Sequence, residues 1–421
     1  MSHILDDLKA FLDSSPTSWH AVKEIGERLA IRDFSPLSED EKWQLEKGKK
    51  YFVIRGGALC AFQVPTAKPT RAKILAAHTD SPALKLKPRP EIVKENMTLF
   101  CTEVYGGPLL SSWFNRDLGI AGRVVIETKK GEMEEKLIFI DDTPVFIPQL
   151  AIRLDREIHE KGLHINKQEH LNPIISLGEA VTLESLLRRH MSFQSLLSFE
   201  LFLIPIEPAR YLGANGEMIG SYRLDNLSSA HACASAIALA KSEKQVLQMS
   251  VFWDNEEIGS RSDEGADSPF VKDILKRICL SLKESEEDYY ILKKNSLCVS
   301  VDVAHAFNPN FPKKYDPNHH PLLGKGIVIK HNADKKYASD ALSVAAIVKT
   351  CKEQNLPYQS YAGRSDMPSG STVGPIMAHT LGIPTVDIGC AQLSMHSTRE
   401  VISCQDYMEL VHLLTHVLQE G

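Results

Sequence analysis

Two adjacent glutamates, Glu256 and Glu257, stand in the stretch Ser250-Val-Phe-Trp-Asp-Asn-Glu-Glu-Ile-Gly-Ser260. They follow an apolar run, 246–253, with the length and the β-branched and aromatic content of a buried strand. Neighbouring side chains on an extended backbone point to opposite sides. Such a pair can divide two tasks, one carboxylate holding a metal and the other facing the water on that metal. A solvated acidic loop gives the same two letters, so the neighbours have to decide. His78 and Asp80 come at the end of Lys73-Ile-Leu-Ala-Ala-His-Thr-Asp, and Asp302 directly follows Leu297-Cys-Val-Ser-Val. His396 lies a few residues past Thr385-Val-Asp-Ile-Gly, and Asp225 precedes a run of small residues with helical character.

Each of these has an ordinary structural explanation. A single histidine after a strand can be a satisfied core residue, Asp225 can be a helix cap, and Asp302 can be a turn residue. Their shared address argues otherwise. In an open parallel α/β sheet, positions just past the strands gather at the carboxyl edge, where such folds bind ligands. The set holds imidazole and carboxylate and no thiolate, which suits zinc, manganese or cobalt. With one bridging carboxylate it divides into two metal sites: His78, Asp225 and Asp302 on one, and Asp225, Glu257 and His396 on the other. Two divalent ions would clamp the attacking and leaving oxygens of a hydrolysis. Glu256 is then placed as general base, and Asp80 can accept the second ring N–H of His78.

Other signals are weaker. Asp366-Met-Pro-Ser-Gly-Ser-Thr-Val-Gly374 reads as a backbone nest or a plain capped turn; as a nest, Gly370 and Ser371 would receive a carboxylate or polarised carbonyl. His319-His320 reads as a surface pair and His231 as a packed helical histidine. No Gly-x-Ser-x-Gly is present, so a serine hydrolase finds no support.

The elements that would carry these residues alternate. Amphipathic helices are expected over 4–13 and 18–30, a hairpin over 51–64, and strands at 73–77, 246–253, 297–303, 326–330, 357–361 and 383–389. Helices fall between them at 228–240, 268–283, 339–354, 371–381 and 405–419. This alternation predicts an α/β fold with a mostly parallel sheet covered by helices on both faces. Between about 87 and 215 the character changes to short β-prone runs, with one helical stretch near 147–160. The expected division is therefore 1–86 and 216–421 as one α/β domain, with 87–215 an inserted β-rich domain.

Bulk properties close off other classes. The 421 residues are 43% hydrophobic and 24% charged with net charge -6, which leaves no basic footprint for nucleic acid. No run reaches the roughly 18 apolar residues of a membrane span. The acidic beginning, Met-Ser-His-Ile-Leu-Asp-Asp, has no signal-like apolar region. Eight scattered cysteines without a Cys-x-x-Cys read as reduced core residues, so a cytoplasmic location is expected.

Several blocks together resemble the M18 metallopeptidase family, the aspartyl aminopeptidases. They are Ala77-His-Thr-Asp-Ser-Pro82, Tyr105-Gly-Gly107, Trp113-Phe-Asn-Arg-Asp117, Arg223-Leu-Asp-Asn226, Asp254-Asn-Glu-Glu-Ile-Gly-Ser260, Asp302-Val-Ala-His-Ala306 and Met395-His-Ser-Thr-Arg-Glu400. The resemblance runs from Pro16-Thr-Ser-Trp-His20 to the last helix. It implies a zinc-peptidase α/β domain interrupted by a β-rich dimerisation domain, dimers assembled into a homo-dodecamer, and peptide substrates with a free N-terminus, often acidic. For that preference it points to Lys330, with Tyr337 nearby and Lys325 as the fallback. One departure stands out. The family's Ile-Pro-His-Leu-Ala-Ile-His, whose second histidine steadies the reacting carbonyl in a neighbouring subunit, is here Ile147-Pro-Gln149-Leu-Ala-Ile-Arg153. Arg153 keeps a donor and adds a permanent charge, so stabilisation of a developing oxyanion can survive.

The reading is a two-metal aminopeptidase acting on N-terminal Asp or Glu. A broad or neutral-preferring aminopeptidase is the nearest rival. A deacylase or carboxypeptidase on the same scaffold would cleave N-acylated substrates instead. A non-catalytic assembly protein would have lost a ligand or the base, and none is lost here.

Overall fold

The structure is a computed structural model that describes residues 2–178 and 180–419; Met1, Glu179, Glu420 and Gly421 lie outside the described residues. Two compact units emerge. The first comprises residues 1–80, 209–395 and 400–421, and the second 81–208 with 396–399. The second unit's main segment thus starts and ends several residues before the change in composition at 87 and 215, and it also claims a four-residue excursion near the C-terminal end.

The chain opens with helices α1 (Ser2–Ser14) and α2 (Ser18–Ala30), then strands β1 (Phe34–Leu37), β2 (Lys50–Arg55), β3 (Ala58–Gln63) and β4 (Arg71–His78). The second unit follows, with β5 (Ala83–Lys94), β6 (Met97–Tyr105), β7 (Leu118–Glu127), β8 (Met133–Val145), α3 (Ile158–Lys161), β9 (Ile174–Leu177), α4 (Leu183–Leu187) and β10 (Ser195–Pro205). Its six strands form one sheet in the order β8-β7-β10-β5-β6-β9, antiparallel throughout. The helix expected over 147–160 does not form: residues 147–157 run as irregular chain with short turns, and only the single turn of α3 is helical. Leu150, Ile152 and Leu154 remain exposed, so the apolar spacing there has no surface to pack on.

The first unit resumes with β11 (Arg210–Leu212), β12 (Met218–Ser221), α5 (Leu224–Leu239), β13 (Val246–Trp253), α6 (Phe270–Ser281), α7 (Glu286–Lys294), β14 (Leu297–Val301), β15 (Ala304–His305) and β16 (Ile327–His331). It closes with α8 (Ala341–Glu353), β17 (Tyr358–Ala362), α9 (Val373–Leu381), β18 (Thr385–Gly389), β19 (Ala391–Leu393), β20 (Glu400–Ser403) and α10 (Cys404–Gln419). Its main sheet has nine strands in the order β1-β2-β3-β13-β4-β14-β18-β16-β17. The pairs β1–β2, β13–β4, β4–β14, β14–β18 and β16–β17 are parallel, and the other three antiparallel. A smaller sheet, β11-β12-β20-β19-β15, belongs to the same unit.

The period-two alternation of β4 assigns the two faces of the main sheet. Leu75 and Ala77 join a core built with α1, α2, α5 and α10, whereas Ala72, Ile74 and Ala76 join another with α6, α7 and α9. Helices therefore cover both faces, as the near-continuous apolar strands require. The small residues of α5 serve this arrangement: Ser228, Ser229, Ala230, Ala232 and Ala236 are all buried, which lets the helix lie close on the sheet. Capping fixes other boundaries, with Asp340 accepting the Leu342 and Ser343 amides at the start of α8 and Ser285 paired reciprocally with Asp288 at α7.

Candidate metal centre

His78 is the last residue of β4, Glu256 and Glu257 follow β13, and Asp302 follows β14. These three strands are consecutive in the sheet and mutually parallel, so their carboxyl ends lie side by side. Asp225 arrives from α5. The first turn of that helix is not helical at Asp225 (φ -81°, ψ 103°) or Asn226 (φ -124°, ψ 25°), so the chain is kinked where it presents this carboxylate.

One ligand atom each from His78, Asp225 and Asp302 lie within 4.8 Å of one another, and so do those of His78, Glu256 and Glu257. His78 Nε2 is 3.3 Å from Asp225 Oδ1. Burial opposes charge on His78, yet its contacts with Asp225 and Asp80 outweigh that and raise its pKa well above the usual value. Burial also raises the pKa of Glu256, reinforced by Glu257, Asp302 and Asp80 against the opposing pull of His78. Asp302 is raised as well, by burial and Asp225 against Lys330. A group of buried and half-buried carboxylates that repel one another in this way, offering oxygen and imidazole nitrogen and no sulfur, fits a divalent cation of the zinc type.

The separation of the two glutamates has a different origin from the one expected. They do not extend the strand: Asn255 is left-handed (φ 59°) and residues 256–258 make a 3-10 turn. Asp80 sets that turn. Its Oδ1 accepts the Glu256 amide and its Oδ2 the Glu257 amide, both at 3.1 Å. The His78 Nδ1 donor meets the backbone carbonyl of Asp80 at 3.1 Å, nearer than the 3.4 Å to its carboxylate. Asp80 thus positions the histidine with its main chain and the glutamate turn with its side chain.

Further residues hold the frame. Arg223, buried and left-handed (φ 68°), donates to the carbonyls of Pro16 at 2.7 Å and Thr79 at 2.6 Å. Glu400, also buried, accepts the Asp225 amide at 2.9 Å. Asp254 accepts from Ser18 Oγ at 2.8 Å. Sequence reasoning assigned none of the three a task, since only the fold shows which carbonyls and amides they meet.

Lys330 lies in β16, 2% exposed, with Nζ 3.7 Å from Asp302 Oδ2 and 5.3 Å from the centre of the Tyr337 ring. Gly370 and Ser371 are exposed in the loop before α9; the Ser371 hydroxyl donates to the Lys336 carbonyl, and Thr372 caps the helix. His396 and Arg153 belong to the second unit. There the Nδ1 of His396 donates to the Gly107 carbonyl at 3.0 Å. Arg153 is exposed in the turn at 152–154. His319 pairs with Asp316 on the surface, and His231 is packed between Asp7 and Tyr407.

Comparison with known proteins agrees with this architecture. The model of the aminopeptidase I zinc metalloprotease family, M18, matches residues 11–417. A probable M18 family aminopeptidase 2 of Streptomyces avermitilis is 39% identical over 98% of this chain and 97% of its own. The solved complex of Ape4 with Nbr1 superposes with a TM-score of 0.94 at 34% identity, over 99% of this chain and 85% of the matched one. The mApe1 dodecamer of S. cerevisiae gives 0.86 at 26% identity, over 98% and 95%. The chain belongs to the M18 family and is a metallo-aminopeptidase.

Proposed function

We propose that this enzyme removes N-terminal residues, preferentially Asp and Glu, from peptides with a free N-terminus, using two divalent ions per subunit, zinc in the first place. The observation that carries the acidic preference is Lys330, an ammonium buried beside the metal-ligand cluster with a carboxylate 3.7 Å away. A fixed cation there favours an acidic first side chain and disfavours a basic one.

His78, Asp225 and Asp302 would hold one ion, and Asp225, Glu257 and His396 the other. When bound, the ions would supply Lewis acidity toward the scissile carbonyl and ease deprotonation of the attacking water. Glu256 takes the proton of that water and returns it to the leaving amine, a task suited to a carboxylate whose pKa is already raised by burial. Asp80 keeps Glu256 and Glu257 in their turn while this happens. Arg153 is proposed to donate a hydrogen bond to the reacting carbonyl of a neighbouring copy, and Gly370 and Ser371 to bind the peptide backbone.

For assembly we propose a homo-oligomer built from dimers through the antiparallel second unit, with the yeast dodecamer as the precedent. A cytoplasmic location is supported by the cysteines: all but Cys101 are buried, and no disulfide forms among the described residues. No helix of the described residues is long and apolar enough to cross a membrane.

A panel of dipeptides with free Asp, Glu, Leu, Ala or Lys in first position, run with N-acetylated controls and with zinc, manganese or cobalt, tests the reading. Metal-dependent cleavage of Asp and Glu substrates alone is expected. Preference for Leu refutes the acidic specificity, and cleavage of only the acetylated controls refutes free-amine specificity.

A further inference from the structure

Lys330 is not held alone. In the parallel pair β16–β17 its register partner is Tyr361, so the two side chains stand next to each other on one face of the sheet. Tyr361 is 9% exposed and packs in a small cluster with Ala304, Val328 and Tyr337. Its ring centre is 6.2 Å from that of Tyr337 at a 55° tilt, and 6.4 Å from that of His305 in an edge-on arrangement. Tyr337 in turn lies under the Lys330 ammonium at 5.3 Å. That ammonium makes no hydrogen bond among the described residues, and its ion pair with Asp302 is long at 3.7 Å. Its donors therefore await an acceptor in a nearly dry setting.

We propose that Tyr361 is a positioning residue for recognition of the acidic side chain: it props Tyr337 against Lys330 and so restrains the ammonium that meets the incoming carboxylate. This inference rests on the reading of Lys330 as the receptor of that carboxylate. The packing supports it: the Tyr361 ring backs the Tyr337 ring at 6.2 Å, and the Tyr337 ring lies under the Lys330 ammonium at 5.3 Å. The polar ends of the two tyrosines also interact, and Tyr337 is held from another side by Ser369. An aromatic prop of this kind limits the motion of both receptor groups without adding charge.

The test compares kcat/KM for Asp-first and Ala-first dipeptides in the metal-loaded full-length enzyme, with Tm and bound metal measured beside it. Tyr361→Phe keeps the packing and removes the hydroxyl; we expect the Asp-over-Ala ratio to fall about tenfold, mainly through KM for the acidic substrate. Lys330→Met separates the two levels of the argument. If Lys330→Met collapses the ratio and Tyr361→Phe leaves it within twofold of wild type, Tyr361 has no such role and the Lys330 reading stands. If Lys330→Met leaves the ratio unchanged, the Lys330 reading itself falls and the inference falls with it. A Tyr361→Phe enzyme that loses Tm and slows on both substrates equally shows a packing role only and also overturns the proposal.

Discussion

Asp80→Asn tests the logic of the site more sharply than removal of any ligand. Each carboxylate oxygen of Asp80 accepts one backbone amide at 3.1 Å, from Glu256 and from Glu257. An asparagine of the same shape can keep one acceptor, but its NH2 must then face the other amide. One hydrogen bond to a charged group is lost, worth about 1.5–3 kcal/mol, and two donors are set against each other. A loss of about 3 kcal/mol falling on the turn that carries the base corresponds to roughly 10²-fold in kcat/KM. The His78 contact with the Asp80 carbonyl should survive, because the main chain is unchanged. The assay is kcat/KM at saturating zinc, with metal content by elemental analysis and thermal unfolding of the same preparation. The expected variant is folded, retains metal at His78, and is about a hundredfold slower. Activity within threefold of wild type at full metal content would refute the assignment of Asp80 as the clamp of the glutamate turn.

Glu256→Gln should lower kcat by at least about 10³-fold with metal content intact, as general bases do when neutralised; turnover near wild type removes Glu256 from that role. Chelation should abolish activity and lower Tm, because the buried carboxylates lose their compensating charge, and both should return with zinc; a chelated enzyme of unchanged Tm contradicts this. His20 has its pKa lowered to about 4 by burial, aided by Arg223 and Lys23. Between about 4 and 6.5 the unfolded chain therefore binds a proton the folded chain refuses, and stability falls as pH falls. Asp406 runs the other way: burial raises it to about 6 despite the amides of Gly324 and Gly326, so its contribution falls as pH rises from about 4 to 6. Urea unfolding at pH 5 and 7 should show His20→Gln recovering about 2 kcal/mol of the acid loss; an unchanged difference between the two pH values removes His20 as the source. Gly57→Ala should destabilise by about 2 kcal/mol through overpacking, since a Cβ there would fall 2.0 Å from Asp254 Oδ2 and 2.7 Å from Ser18 Oγ. A Tm within one degree of wild type would show that Asp254 can yield.

The clustering of the candidate ligands was legible because these residues follow apolar strands, and strand ends in an open α/β sheet share an address. His78, Glu256, Glu257 and Asp302 are spread between positions 78 and 302 but follow three neighbouring strands, and hydrophobic runs announce those strands. What stayed hidden depends on contacts with no local signature. Asp80 was expected at the His78 imidazole, which its carboxylate does approach at 3.4 Å, but that carboxylate also holds two amides, because the chain past Asn255 turns through a left-handed residue that single-sequence spacing cannot show. Tyr361 carries no motif at all; its meaning comes from register with Lys330 across β16 and β17. Over 147–160 the spacing misled for the opposite reason. Leu150 and Leu154, four apart, give a helix-like spacing, but helices in proteins are held mainly by the surface they cover, and these two remain uncovered.

The central strand β4 has a consequence for how this hydrolase comes into being. Its hydrogen-bonding partners are β13 and β14, and neither is made until the ribosome has passed residues 246 and 297. A nascent chain ending before them carries His78 at the end of a strand with both edges open, an adhesive segment with no catalytic partner. Such distant pairings fold slowly and late. The peptidase is therefore inert throughout most of its own synthesis and vulnerable to aggregation during the same interval, so truncated translation products should burden the chaperone system without ever digesting a peptide.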